Sequence, residues 1–301
     1  MPATLRTTTR KPADSPRLHH RIEDAAAGLL LGALMRLPYP RRVAAMGWLM
    51  RRVVGPLGRA SRRTGPNLRH VFPDMPLAEQ RRITAEVLDN LGRAAIELFS
   101  GAEFTARAAC LPLTGPGLAA LDAAHAAGRP AVLVTAHLGN YDAMRAALLA
   151  RGFRVGGFYR PIANPLFNRR YIAAISAIGE PLFPAGREGM AGMVRFLRGG
   201  GMLALVSDHH IGSGVPLDFM GKPALTALSA AELALRYDAP LVPLYAIRQP
   251  DGLSFRNIIE APIPPSDPVT MTQALNDSAA AVIRAQPGQW FWLHRRWKGA
   301  S

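Results

Sequence analysis

Cysteine is almost missing from this 301-residue chain, where Cys110 stands alone. A lone cysteine excludes an intramolecular disulfide and fits a reducing compartment. Within Ala-Ala-Cys110-Leu-Pro it reads as a small buried apolar residue rather than a nucleophile. Lysine is scarce as well, present only at Lys11, Lys222 and Lys298, so arginine carries nearly all the positive charge. Long apolar runs are absent: Ala25 to Met35 is apolar for 11 residues before Arg36 interrupts it, and a membrane-spanning helix needs about 20. That run has no small-residue cleavage signature and follows a long polar lead, so a cleaved signal peptide is not expected. No helix-turn-helix or RNP signature is present, which argues against nucleic acid as a partner.

The charge that is present is lopsided. Residues 1–70 hold 14 Arg or Lys against 3 Asp or Glu, most of the formal net charge of +15. A basic N-terminal region points to a polyanionic partner, and arginine's planar fork suits phosphate. A second stretch, Val43 to Leu57, carries Met46, Trp48, Leu49 and Met50 beside Arg51 and Arg52. The two stretches read as short amphipathic helices with basic flanks and interfacial Tyr39 and Trp48. They read equally as helices packed on a globular body.

Along the chain, residues 1–20 are polar and Pro-containing and read as a basic, disordered tail. Residues 21–66 read as a helical, membrane-associating segment, and residues 67–301 as a single α/β domain. Helical patterning from about 23 to 100 is broken by Pro38, Pro40, Pro56, Pro66, Pro73 and Pro76, and its best helix runs from Ala78 to Ser100. Strand–helix alternation follows, with strands predicted at 131–135, 154–159, 202–207, 241–247 and 253–259. Helices are predicted at 141–151, 166–178, 188–198, 226–237 and 269–285. Continuous apolar strands such as Met202-Leu-Ala-Leu-Val206 suit a sheet covered on both faces. The fold class is α/β: a mostly parallel mixed sheet flanked by helices, with an N-terminal helical segment.

The most informative stretch is Ala131-Val-Leu-Val-Thr-Ala-His137-Leu-Gly-Asn140-Tyr-Asp142. It reads as strand, tight turn and helix, with His137 in the turn and Asp142 in the first helical turn. Residues five apart on one helix lie about 140° around its axis, so the pair can meet only if His137 precedes the helix. Gly139 makes the sharp reversal cheap. A His held by a carboxylate at the carboxyl end of an α/β strand is placed for general-base work.

Other constellations are less specific. Ser207-Asp208-His209-His210 follows a strand and has metal-like residue types. A manganese-type phosphoesterase using Asp208, His209 and His210 would need further strand-end aspartates, which the sequence lacks. No metal site is therefore expected. Arg160 closes the strand ending in Phe158-Tyr159, and Arg187 sits in the corresponding place one crossover later; both are candidate anion binders. Asn164-Pro165 starts a helix, with Asn as cap and Pro at the first position. The terminal Gln289-Trp-Phe-Trp-Leu-His294-Arg-Arg-Trp297-Lys298 is either a cation–π seal on the fold or an aromatic, basic patch for lipid headgroups.

Taken in order, these motifs resemble the late acyltransferases of lipid A biosynthesis, the lauroyl/myristoyl transferase family of the lysophospholipid acyltransferase superfamily. The matching residues begin with Asn67-Leu-Arg…Phe72-Pro73, Gly92-Arg93…Glu97 and His137-Leu-Gly-Asn-Tyr-Asp142. They continue through Tyr159-Arg160-Pro161…Asn164-Pro165, Asp208, Phe219-Met-Gly221-Lys222…Thr226 and Ala239-Pro240-Leu-Val-Pro243 to Trp290-Phe-Trp292-Leu-His294-Arg-Arg296-Trp297-Lys298. The set spans roughly residues 25 to 298. The chain departs from the family at His209, where Gln is usual, and in its interrupted N-terminal apolar run.

The resemblance implies transfer of a fatty acyl chain from a thioester to a hydroxyl of a lipid A precursor, without a covalent acyl-enzyme or a cofactor. Acyl-carrier protein or coenzyme A would be the co-substrate. His137 would be the base and Asp142 its orienting carboxylate. Gly139, Asn140, Arg160, Asn164, Arg187 and Asp208 would bind substrate, and amides near Gly139 together with Arg160 would face the oxyanion. The implied partners are an acyl-carrier protein, a phosphorylated glycolipid and the anionic cytoplasmic face of a bacterial inner membrane. Relatives in the superfamily acylate other glycolipids and lysophospholipids, so those acceptors are the alternative.

Overall fold

The computed structural model describes residues 16–58 and 60–299. The N-terminal third is helical: α1 (Leu18–Met35), α2 (Tyr39–Leu49), a π-helical turn at Met50–Val54, α3 (Gly55–Leu57), α4 (Ala60–Val71), α5 (Leu77–Phe99) and α6 (Gly101–Ala109). Helix α1 takes in Leu18 to His20, so three residues of the expected tail are helical; the rest of that tail up to Ser15 lies outside the described residues. The expected proline breaks are only partly observed. Pro40 sits at the start of α2, where a missing N–H costs nothing, whereas Pro56 follows the π-helical turn inside a continuous helical run from Tyr39 to Leu57. Pro66 lies inside α4. Cys110, expected to be buried, is exposed just past the end of α6.

The remainder alternates strand and helix around one seven-stranded sheet. Its elements are β1 (Leu113–Thr114), α7 (Leu118–Ala126), β2 (Ala131–Thr135), α8 (Tyr141–Ala150), β3 (Val155–Tyr159), α9 (Pro165–Ile178), β4 (Leu182–Pro184), α10 (Arg187–Arg198) and β5 (Met202–Val206). Then come β6 (Val215–Phe219), β7 (Lys222–Thr226), α11 (Ser229–Arg236), β8 (Leu241–Arg248), β9 (Phe255–Ile259) and α12 (Pro268–Ala285). The strand order is β1-β9-β8-β2-β5-β3-β4. Every pairing is parallel except β8 with β9. The expected mostly parallel, mixed sheet is the one observed.

All five residues of β2 are buried, as are the eight of β8. Continuous burial is what a parallel strand covered by helices on both faces demands, and it is why these strands are apolar up to Thr135 and Arg248 at their carboxyl ends. The sequence missed β1, β4, α6 and α7, all short. It also missed the separate β6–β7 hairpin, which places Thr226 in a strand rather than at a helix start. The two-residue turn of that hairpin has positive φ at both Met220 and Gly221, the conformation that matches strand twist. Met is a poor signal for such a turn, and Met220 is held there by burial.

One feature of the topology positions the site. β2 and β5 are neighbours in parallel register, with Thr135 opposite Val206. Two residues past each strand end stand His137 and Asp208, so the register alone brings them side by side. The chain leaves β2 for β3, which lies beyond β5, while β8 flanks β2 on the other side. Open α/β sheets bind ligands at the carboxyl edge of such a switch in direction.

Candidate active site

The turn carrying His137 is fixed before any side chain is considered. Gly139 has φ +59°, and a Cβ there would collide with the carbonyl oxygen of Ala246. Its N–H donates to the carbonyl of Gln289 at 3.1 Å, and that of Asn140 donates to the carbonyl of Ala246 at 3.3 Å. Asn140 caps α8: its Oδ1 accepts from the N–H of Asp142 at 3.1 Å. Its Nδ2 donates to Glu97 at 2.8 Å. Glu97, fully buried, also receives both terminal nitrogens of Arg248 at 2.5 and 2.7 Å. Arg248 lies over the Phe255 ring and donates Nε to Asn90 at 2.8 Å. A buried carboxylate is tolerated here because a bidentate guanidinium and an amide satisfy it.

His137 is held by Asp208, and this corrects the pairing read from the sequence. His137 Nδ1 lies 2.7 Å from Asp208 Oδ1. The His137 main-chain N–H donates to Oδ2 at 2.8 Å, and Trp290 Nε1 donates to the same oxygen at 2.7 Å. Asp208 is 2% exposed. Burial by itself raises its pKa, but the charge and hydrogen bonds of His137, with His294 nearby, outweigh it and hold the carboxyl far below the usual range. A carboxylate only accepts, so His137 carries its proton on Nδ1 and presents Nε2 to the cleft.

Asp142 has a different partner. Its Oδ1 accepts from Arg145 Nε at 3.1 Å, and Arg145 also donates to the carbonyls of Gly179 and Ile175 at 3.1 and 2.8 Å. Among the described residues no hydrogen bond joins His137 to Asp142. The five-residue spacing signals a pair within one turn, whereas the actual partner is 71 positions away and shows only in strand order.

The other neighbours of His137 are rings. The ring centroids of His209 and His294 are 4.5 and 4.7 Å from that of His137, and 4.2 Å from each other. Tyr141 meets His137 edge-on at 5.8 Å. Loss of hydration among the packed rings depresses His209 to about 4 and His294 to about 3; His137 and Arg296 add to both shifts, Arg160 to that of His209 and His209 to that of His294, while Asp208 opposes them. His294 Nε2 is buried and has no hydrogen-bond partner.

A cavity of about 460 Å³ opens at His137, Tyr141, Arg160 and His209 and runs inward past Met144, Leu148, Val155, Ile175, Leu205 and Leu244. A second, of about 270 Å³, meets it at His137, Tyr141 and Asp142 and is walled by α5, Trp290 and Phe291. Arg160 is exposed at the mouth and makes no hydrogen bond or ion pair among the described residues.

Three other expected substrate contacts are placed differently. Asn164 caps α9, accepting from the N–H groups of Leu166 and Phe167, and donates to the His20 carbonyl and to Glu23. Its polar atoms tie α1 to α9, which removes it from the site. Arg187 is exposed at the start of α10 and lines neither cavity. Asp208 is the His137 partner, not a surface toward substrate.

Sequence reasoning missed Trp290 as an Asp208 donor and left the terminal aromatic run undecided. Trp290 and Trp292 are fully buried, and Arg296, also buried, lies over Phe219 and donates to Thr226 Oγ1 at 2.6 Å. The run therefore seals the fold. Asp208, His209 and His210 do not converge: Asp208 is saturated by three donors, and His210 is not in the cluster formed by His137, His209 and His294.

An α/β sheet that presents a histidine oriented by a buried carboxylate, at the meeting of two apolar cavities, has the layout of an enzyme site for apolar substrates. Known proteins make the class particular. The family described as bacterial lipid A biosynthesis acyltransferase matches residues 15–299, and the chain belongs to that family. It is 28% identical to the lipid A biosynthesis lauroyltransferase of Escherichia coli K12 over 283 residues, covering 89% of each chain. It is 29% identical to the phosphatidylinositol mannoside acyltransferase of Mycobacterium tuberculosis H37Rv over 241 residues, 77% of this chain and 75% of that one. The enzyme of the same name from Mycolicibacterium smegmatis is 29% identical over 231 residues, 71% of this chain and 74% of that one. The protein is an acyltransferase.

Proposed function

We propose that the protein transfers a fatty acyl chain from an acyl thioester to a hydroxyl group of a lipid A-type glycolipid, with His137 as general base and Asp208 as the carboxylate that orients it. The observation that carries this reading is the 2.7 Å contact between His137 Nδ1 and Asp208, which leaves Nε2 free at the mouth of the long cavity. The acceptor oxygen attacks the thioester carbonyl carbon as Nε2 takes its proton. The tetrahedral species then collapses, the carbon–sulfur bond breaks, and the imidazolium returns the proton to the departing thiolate. Asp208, fixed as an anion, stabilises the imidazolium between these steps. A positioned base supplies about 10² to 10⁴ in rate, and the rest comes from orientation and from donors facing the oxyanion.

The turn amides of His137, Gly139 and Asn140 are already committed to Asp208, Gln289 and Ala246. This leaves the guanidinium of Arg160 as the donor at the mouth best placed for the oxyanion or the thioester's phosphorylated carrier. The apolar walls of the 460 Å³ cavity suit the acyl chain. The basic surface would attract both an acidic acyl-carrier protein and a phosphorylated acceptor.

Lipid substrates call for a membrane surface, and α1 and α2 supply a face for one. Leu18, Ile22 and Leu29 lie along one stripe of α1, each more than 60% exposed, and Trp48 of α2 is 59% exposed. Arg36, Arg41, Arg51 and Arg52 are exposed beside them. No helix among the described residues is long and apolar enough to cross a membrane. An exposed apolar stripe with basic flanks instead lies in the interface of an anionic membrane, here the cytoplasmic face of the inner membrane.

The test is transfer from a labelled acyl-carrier-protein thioester to a lipid A precursor, with EDTA present, by wild type, His137→Ala and Asp208→Asn. Transfer by wild type that falls in both variants, with the fold intact, supports the reading. Transfer only to a mannosylated phosphoinositide or a lysophospholipid would keep the chemistry and replace the acceptor. Undiminished transfer by His137→Ala would overturn the mechanism.

A further inference from the structure

We infer that His137, His209 and His294 form a site for a zinc-type divalent ion, and that the bound ion switches the enzyme off by taking the lone pair of its base. The binding claim stands on geometry alone, while the inhibition rests on the reading of His137 given above. One ring nitrogen from each of the three residues lies within 4.8 Å of the others. Three imidazoles with one position left open is a recurrent ligand set for zinc.

Two further features resemble a metal centre more than a chance cluster. Metal-binding histidines characteristically donate their second ring N–H to a carboxylate, which fixes the tautomer and raises the basicity of the ligating nitrogen. Asp208 does this for His137 at 2.7 Å. His294 buries Nε2 without any partner, an orphan that normally costs stability unless something binds it. Among the described residues no hydrogen bond occupies Nε2 of His137 or the ring nitrogens of His209 and His294, since Asp208 is engaged through Nδ1 of His137. Nitrogens bound at about 2.1 Å to one ion lie at most about 4.2 Å apart, so the widest gap must close by rotation of a ring. His209, on the loop after β5, is the most exposed of the three residues, so its ring is the one with room to turn.

The consequence follows from His137 having one available nitrogen. With Nδ1 given to Asp208, Nε2 either receives the acceptor's proton or ligates the ion. The two uses exclude each other, so zinc would act as a reversible inhibitor that also holds together the loop after β5 and the C-terminal segment.

The experiment is titration of the chelator-treated full chain with Zn²⁺ by calorimetry, and with Co²⁺ by visible absorption, on wild type, His209→Gln and His294→Gln. Melting temperature with and without zinc is the second readout, since an ion bound only by the native state raises it. Expected are one ion per chain, tetrahedral Co²⁺ bands, a zinc-dependent rise in melting temperature, and at least a tenfold loss of affinity in each variant. Acyl transfer by wild type should fall as the site fills and recover on adding EDTA. No binding, or binding undiminished in both variants, overturns the site and leaves His137 as base untouched. Stoichiometric binding with unaltered transfer overturns the inhibition and counts against His137 as the base.

Discussion

Trp290 donates its indole N–H to Asp208 Oδ2 at 2.7 Å, the oxygen that also receives the main-chain N–H of His137. Oδ1 is thereby left to the His137 ring. The carboxylate is clamped on one oxygen so that the other can aim the base. Replacing Trp290 by Phe retains a ring toward Phe219 and Trp292 but leaves a void where the rest of the indole was, and it removes one donor to a buried anion, worth about 1.5–3 kcal/mol. The expected result is a fall in kcat of roughly 10- to 100-fold with little change in KM, read from steady-state transfer assays.

Asp208 and Asp142 make contrasting predictions that separate the sequence reading from the structural one. Asp208→Asn should lower kcat by roughly 10² to 10⁴, because an amide cannot stabilise the imidazolium. Asp142→Asn should chiefly cost stability, about 1.5–3 kcal/mol, through the weakened bond to buried Arg145. Denaturant unfolding alongside transfer rates measures both. A collapse of kcat in a stably folded Asp142→Asn would return Asp142 to the reaction.

Much of this was legible in the chain because strands buried on both faces advertise themselves. β2, β3, β5, β8 and β9 and the helices α8, α9, α10 and α12 are found within a few residues of their predicted bounds. His137 stands in the turn where the motif put it, and Asn140 and Asn164 cap the helices that follow them. The carboxylate partner was not legible, since it depends on which strands are neighbours. A motif six residues long carries no information about a register that joins Thr135 to Val206. Short elements escaped for a related reason: β1 and β4 have two and three residues, too few for any periodicity to show.

The Glu97–Arg248 pair sets the turn through Asn140, and its loss should register as stability first. Glu97→Ala leaves a buried guanidinium without its anion, which costs roughly 3–5 kcal/mol. It also frees Asn140 Nδ2 from its one side-chain acceptor among the described residues. Denaturant unfolding should show the loss of stability, and transfer at a temperature where the variant is folded should be reduced by misplacement of the His137 turn. Full stability in Glu97→Ala would refute the role assigned to the pair.

Acid should destabilise the protein in a window set by His294 and, down to about pH 4, by His209 as well. The folded pKa of His294 is depressed to about 3, chiefly by burial, from 6.5 when unfolded. Between those values the unfolded chain holds a proton that the native state does not, so stability is full above pH 6.5 and falls as pH drops toward 3. Asp208 acts in the same direction at the lower end, since its depressed pKa contributes stability that is lost as it protonates. Thermal melts in EDTA from pH 7.5 to 4 should show a falling midpoint, and His294→Gln should flatten the slope below pH 6.5. A slope unchanged in that variant would place the acid sensitivity elsewhere.

Chain-length preference offers the sharpest test of which cavity holds the acyl group. Ala204 of β5 lines the long cavity among apolar neighbours, and its side chain occupies little of the space. Ala204→Leu adds three carbons to that wall without adding charge, so the bound chain has less depth available. The variant should shift preference toward thioesters shorter by a few methylenes, with each excluded methylene costing about 0.8 kcal/mol of apolar burial. Competition assays with thioesters of graded length read the shift directly. An unchanged length profile, with the short substrates still turned over at the wild-type rate, would assign the acyl chain to the smaller cavity beside α5 and the long cavity to the acceptor's own hydrocarbon.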